Sequence, residues 1–333
     1  MRIGLTFDLR SAYLAEGYGE EETAEFDRDD TIEALEAALC GLGHEVDRIG
    51  NARRLAARLV TGDRWELVFN IAEGLRGLGR EALVPALLEA WDVPCTFSDP
   101  LVMALTLHKG MTKRVMRDAG LPTPDFAVIE RAADLEAIRF DGPWFVKPVS
   151  EGTGKGVTPA SVVRERKDLA ARCAELVERY RQPALVEEYL PGRELTVGLL
   201  GTGDRARVLG SVEVVLLARA EAGAYSYVNK ERCEELVEYR LTHPRDDEVA
   251  AAAEELALAA WRVLGCRDGG RIDLRCDDRG RPMLIEINPL AGMHPEHSDL
   301  PIICGKVGMP YADLVGGIIA SAVERTAPGE RRR

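Results

Sequence analysis

No stretch of this 333-residue chain approaches the ~20 consecutive apolar positions that a membrane-spanning helix needs. A membrane partner is therefore not expected. The opening residues, MRIGLTFDLR, lack the apolar core of a secretory signal, so a cytoplasmic location is expected. Positive charge is short: 43 Lys and Arg against 56 Asp and Glu leave a net charge of −13. That balance argues against nucleic acid as a partner, while local lysines can still hold a small anion. The seven cysteines are odd in number and contain no CxxC pair, which excludes a disulfide framework and a cysteine zinc site. Neither common nucleotide-loop signature is present. The run Ser150-Glu151-Gly152-Thr153-Gly154-Lys155-Gly156 has glycine after Lys155 where a Walker A loop requires Ser or Thr. Its spacing does not suit a dinucleotide-binding turn either.

What is present is a soluble composition, 46% hydrophobic and 30% charged, in a chain long enough for two or three domains. Strand-like runs at 3–7, 44–49 and 67–71 alternate with helical spacing at 31–42 and 83–90, and Val93 to Thr96 starts another strand. Ala12 to Glu25 reads as an acidic loop. This pattern predicts a parallel α/β unit over 1–99. A helix over 101–119 follows, then strands at 126–129 and 143–148 and a helix at 168–181, making a central unit over 100–184. A third unit, 185–325, begins at the run Ala184 to Leu190, and 326–333 reads as a frayed tail.

The most informative stretch is Arg271 to Met293. Two alternating runs flank Asp277-Asp278-Arg279-Gly280, which predicts a β-hairpin. Period-two alternation puts Ile272, Leu274 and Cys276 on one face and Arg271, Asp273 and Arg275 on the other. In the second strand it groups Met283, Ile285 and Ile287 against Leu284, Glu286 and Asn288. A turn centred on Arg279-Gly280 places Asp273 opposite Glu286 and Arg271 opposite Asn288. Two carboxylates facing across a ladder repel. Removing one is then expected to relieve strain in the metal-free protein. A cation between them would also remove the conflict. Aspartate, glutamate and an asparagine carbonyl offer only oxygen, which suits Mg²⁺ or Mn²⁺ and implies a nucleotide-phosphate site.

Further features agree. Three glycines in five residues, 152–156, can turn backbone N–H groups toward an anion. Lys147 interrupts an apolar strand and needs an anionic partner or a snorkelling route, and a nucleotide phosphate would serve as the partner. The hinge-like run Glu187-Glu188-Tyr189-Leu190, followed by Glu194, could offer backbone to an adenine and a carboxylate to a ribose.

In this order, these segments resemble the ATP-grasp superfamily and, within it, the D-alanine–D-alanine ligase family, from about Pro85 to Ala320. The resemblance implies an α/β (α+β) three-domain ATP-grasp fold with an N-terminal parallel domain. It implies an ADP-forming carboxylate–amine ligase acting through an acyl phosphate, with ATP and two Mg²⁺ ions as cofactors. Lys109 and Lys147 match phosphate-holding lysines. Glu187, the backbone of Glu188 and Leu190, and Glu194 match the adenine and ribose contacts. Asp273, Glu286 and Asn288 match the metal ligands. Arg271 matches the oxyanion arginine and Lys230 the lysine of the mobile loop. Thr153 replaces the first of a serine pair in the glycine loop. Ser298, with Gly292 nearby, matches the holder of the second substrate's carboxylate, and Glu25 the holder of the first substrate's ammonium. The expected partners are small-molecule amino acids, with a homodimer open as an assembly.

The chain departs from the family at Phe7 to Ser11, at Asn70-Ile71-Ala72-Glu73-Gly74 with Gly79-Arg80-Glu81, at Thr153-Gly154 and at Glu231. The resemblance implies that these positions surround the first substrate. D-alanine, another amino acid or a small carboxylate all stay open there. A third reading, an ATP-binding regulator without ligation, has Arg271 against it, because binding alone needs no oxyanion arginine.

Overall fold

A computed structural model describes residues 1–221, 223 and 225–326; the tail expected to fray lies mostly outside the described residues. Strands β1 (Arg2–Thr6), β2 (Glu45–Gly50) and β3 (Leu67–Asn70) form a parallel sheet in the order β2-β1-β3. Helices α1 (Arg10–Ala15), α2 (Asp29–Gly41), α3 (Ala52–Val60) and α4 (Leu83–Ala90) belong to this unit. The stretch expected to be an acidic loop therefore begins with a helix. The expected strand at Val93 to Thr96 makes only an isolated parallel bridge, Cys95 to Val68, because the chain turns off into Asp99, the N-cap of the next helix.

That helix is not the continuous one expected over 101–119. It divides into α5 (Pro100–Leu107) and α6 (Lys109–Asp118). His108 leaves helical geometry (ψ 88°), and its Nδ1 accepts from Met111 N at 3.2 Å, capping α6. The break places Lys109 at a helix N-terminus, where its own N–H donates to Val149 O at 3.0 Å.

Strands β4 (Phe126–Ile129), β5 (Trp144–Pro148), β6 (Val162–Val163) and β7 (Ala184–Glu188) form a sheet ordered β4-β7-β5-β6, covered by α7 (Arg166–Tyr180). The run that sequence assigns to the start of the third unit is thus the strand between β4 and β5. Strand pairing moves the change of unit to between 188 and 194. The last sheet, β10-β9-β8-β11-β12, uses β8 (Glu194–Leu200), β9 (Arg207–Leu216), β10 (Val237–Leu241), β11 (Gly269–Cys276) and β12 (Pro282–Asn288). Its helices are α8 (Tyr227–Glu231), α9 (Cys233–Leu236), α10 (Glu248–Leu264), α11 (Asp299–Lys306) and α12 (Tyr311–Thr326). No single helix among the described residues is long and apolar enough to cross a membrane.

One core joins the chain's two ends. Ile3, Leu5, Leu35 and Phe69 pack in the same cluster as Leu290, Leu300, Leu314 and Ile318. The central sheet keeps its own core of Val146, Leu169, Leu176 and Val186. Val102 of α5 and Met116 of α6 pack instead with Trp261, Leu274 and Leu284 of the last unit.

Candidate active site

The β11–β12 hairpin pairs Arg271 with Asn288 and Asp273 with Glu286. The pairing agrees with the sequence reading, but the route differs. Asp277 N donates to Arg281 O at 3.0 Å, and Gly280 takes φ 78°, so the loop has three residues and a left-handed glycine. That turn alone would shift the register by one. A bulge at Ile285 restores it. The bulge also corrects the expected faces: Leu284 joins Ile287 in the core, and Ile285 stands with Glu286 on the cleft wall.

Around the hairpin lie two cavities. The first, about 760 Å³, is lined by Lys109, Lys147, Glu187, Glu188, Leu190 and Glu194, with Asp273 and Glu286. Phe145, Tyr189 and Ile285 add apolar wall that sequence reading did not single out. The second, about 990 Å³, is lined by Glu25, Thr153, Arg271, Asn288, Gly292 and Ser298. Tyr225 and Lys230 line both, so the cavities meet there. The glycine loop spans the junction, with Thr153 on one side and Gly154 on the other. Gly154 (φ 69°) lies so close to α8, the helix that carries Lys230, that a Cβ would sit 2.8 Å from Tyr227 N.

The first cavity holds a chain of buried charges. Lys113, four residues after Lys109 on α6, lies 2.5 Å from Glu187 Oε1 and was not anticipated. Lys147 Nζ approaches Glu187 Oε2 at 2.8 Å. Glu187 is thus bracketed by two lysines. Burial pushes Lys113 down to about 8, against the pull of Glu187. Lys109 Nζ donates to Glu151 O at 2.6 Å and lies 3.6 Å from Glu286 Oε2. Burial opposes ionisation of Glu286, yet Lys109, Lys230, Lys147 and Arg271 hold it down to about 2. The repulsion expected between facing carboxylates is therefore already offset by lysines. Asp273 is raised, chiefly by burial. Thr196 Oγ1 donates to its Oδ1 at 3.0 Å, and Asn288 Nδ2 to its Oδ2 at 3.2 Å.

At the second cavity, Arg271 Nε lies 3.1 Å from Asp299 Oδ2 and 3.5 Å from Asp273 Oδ1, but makes no aligned hydrogen bond with either. Asp299, the first residue of α11, is a second member of the site missed in the sequence. Ser298 Oγ accepts from His294 N at 3.0 Å, which leaves its proton for an incoming acceptor. A Cβ on Gly292 would meet that oxygen at 2.7 Å. Glu25 is engaged on every side. Arg80 donates to both its oxygens at 3.0 and 2.8 Å, Lys155 lies at 3.3 Å, and Gly152 N–H also donates to it.

The family model described as "D-ala D-ala ligase C-terminus" matches residues 115–320, more than half of the chain. The D-alanine–D-alanine ligase of Bordetella petrii is 34% identical over 287 residues, covering 86% of this chain and 84% of that one. The chain belongs to the D-alanine–D-alanine ligase family. The uncharacterized protein y4sG of Sinorhizobium fredii is 37% identical over 78% of this chain and 75% of its own. Among solved structures, the ATP complex of the Bacillus anthracis D-alanine–D-alanine ligase superposes with a TM-score of 0.73 at 21% identity, covering 98% of each chain. VanG D-Ala:D-Ser ligase of Enterococcus faecalis gives 0.73 at 20%, covering 97% of this chain and 99% of that one. The family's fold is ATP-grasp, and membership makes the chain an ATP-dependent, ADP-forming carbon–nitrogen ligase.

Proposed function

We propose that the chain joins the carboxylate of one small molecule to the amine of an amino acid, with D-alanine as the leading candidate for the amine. The observation carrying this reading is the junction of the two cavities at Lys230 and Tyr225, with Arg271, Asp273 and Glu286 close by. Nucleotide occupies the first cavity and the two substrates the second. Lys109 and Lys147 hold the phosphates, and Lys230 closes over the γ-phosphate. Phe145, Leu190 and Ile285 cover the adenine, and Glu194 accepts from the ribose.

A carboxylate does not react with an amine directly, because the leaving group would be oxide. Its oxygen attacks the γ-phosphorus, ADP leaves, and an acyl phosphate remains. The amine then attacks the acyl carbon, and phosphate leaves. Arg271, half-buried and held near two carboxylates, donates to the oxyanion of the tetrahedral intermediate. Ser298 donates to the acceptor's carboxylate. The glycine loop and lid helix exclude water from the acyl phosphate.

Asp273, Glu286 and Asn288 form an all-oxygen donor set that fits two Mg²⁺ ions once the Asn288 amide turns its oxygen inward. When bound, Mg²⁺ supplies charge that offsets the transferring phosphoryl group. The test is ADP release with Mg-ATP and pairs of D- and L-amino acids. Ligation of an amino-acid pair is expected. ADP-independent binding of ATP with no product from any pair would leave the regulator reading standing instead.

A further inference from the structure

The wall of the second cavity formed by the N-terminal unit has a charge problem. Glu25 matches the family position that holds the first substrate's ammonium. Here Arg80, Lys155 and the Gly152 N–H already satisfy it, and Arg80 Nη1 also donates to Ser150 O at 2.8 Å. Glu25, accepting from both Arg80 and the Gly152 N–H, therefore links the N-terminal unit to the glycine loop and leaves no room in the pairing for a ligand's cation.

Three other carboxylates line or face the same cavity with no side-chain hydrogen bond or ion pair among the described residues: Asp27, Glu73 and Glu81. They come from separate elements, the loop before α2, the loop after β3, and the 3₁₀ turn Arg80–Ala82. All three are half-buried. Burial raises each of them, and Glu81 then Glu25 raise Glu73 further. Arg10, the nearest cation on the other side, is held by Glu20 and Glu231, and Arg28 is exposed at the rim. Lys230 belongs to the phosphate end.

One inorganic cation does not resolve this. Among the described residues, the one group of three metal-ligating side chains whose atoms converge is Cys233, Glu234 and His297, elsewhere on the rim. The three carboxylates are spread along a wall that begins at Glu81, close enough to Lys109 and Glu286 to feel their charge, and runs through Glu73 toward Asp27. A long organic cation spans that distance, with its carboxylate at the junction.

We propose, building on the ligase reading above, that the carboxylate donor is a dibasic amino acid whose ammonium groups are held by Glu73 and Glu81, while Glu25 is a positioning strut. The specificity residues for the donor are then Glu73 and Glu81, and Asp27 completes the negative wall.

Binding is measured on the full chain by equilibrium dialysis, with Mg²⁺, a non-hydrolysable ATP analogue, and radiolabelled lysine or alanine of either hand. Lysine of one hand is expected to bind at least about tenfold more tightly than alanine, since it adds a hydrogen-bonded charge pair that alanine lacks. Glu73→Gln and Glu81→Gln should each weaken lysine by about fivefold or more. The variant at the carboxylate that meets the α-ammonium should weaken alanine as well, the other should leave alanine unchanged, and neither should change affinity for the ATP analogue, which reports an intact fold. Alanine bound as tightly as lysine, or variants that bind lysine like the parent, would overturn the proposal. Product analysis is kept separate. Lysine that binds through Glu73 and Glu81 without ADP release or product leaves this assignment in place and removes the ligase reading. Alanine ligated as donor, untouched by either substitution, does the reverse.

Discussion

Glu286 shows how a single residue's surroundings change an expectation. Two carboxylates face each other as the hairpin register requires, but Lys109, Lys147 and Lys230 surround the pair. Glu286→Ala is therefore expected to abolish ADP release and to lower the stability of the metal-free protein by about 1–3 kcal/mol, because Lys109 loses a buried partner. Chemical denaturation without metal checks the sign. Arg271→Lys keeps the charge but loses the planar fork, so kcat should fall on the order of 10²-fold with the KM for ATP nearly unchanged. Steady-state kinetics with varied ATP separates the two. Glu81 has the opposite character to Glu286. Burial, then Glu25, push it up to about 7. The folded state holds this proton between roughly pH 4.5 and 7 while the unfolded chain releases it, so stability falls as pH rises through that window. Glu81→Gln removes the effect. Its melting temperature should exceed the parent's by on the order of 2–4 °C above pH 7, and the gap should close below about pH 4.5. Melting curves across pH test this.

At the scale of elements, the glycine loop and the hairpin set the site. Gly154→Ala places a Cβ against the lid backbone at a left-handed position, and should cost about 1–3 kcal/mol along with ATP turnover. A variant with parental stability and turnover would show that loop and lid do not meet in solution. The hairpin was legible because alternation and turn residues are local signals. Its register came out right although the turn has three residues, since the extra residue at Ile285 cancels the error. No local signal marks that bulge, which depends on Leu284 and Ile287 both reaching the core. The break at His108 was hidden because both halves, 100–107 and 109–118, keep helical spacing. Lys113 was missed as an ordinary helical lysine, although a second lysine one turn after Lys109 was its visible trace. Glu73, Arg80 and Glu81 were visible as departures from the family. Their pairing was not, because Glu25 and Arg80 lie 55 residues apart and meet only through the tertiary fold.

Across the whole molecule, the Arg80–Glu25 pair and the Asp268 cluster tie units together. Asp268 is fully buried, accepts from Phe97 N at 2.8 Å and pairs with Arg325 at 2.7 Å, joining the end of the first unit to the last helix. Removing one partner of such a pair leaves a buried charge. Arg80→Ala should therefore lose ~3–5 kcal/mol, with the glycine loop more open to protease. Limited proteolysis beside a denaturant titration measures both. The central sheet has its own core, while the first and last units share one. A closure of the cleft, as the proposed function requires, is then expected to move one body against a fused pair.

That shared core also imposes an order in time. The face of α2 that buries Ile32, Leu35 and Leu39 is packed against α12, the last described helix. A ribosome making ~5–20 residues per second delivers α12 on the order of tens of seconds after α2. Through that interval the opening sheet waits with an apolar face uncovered. A nascent chain arrested before residue 311 should bind chaperones or aggregate, and release of the complete chain should end that dependence.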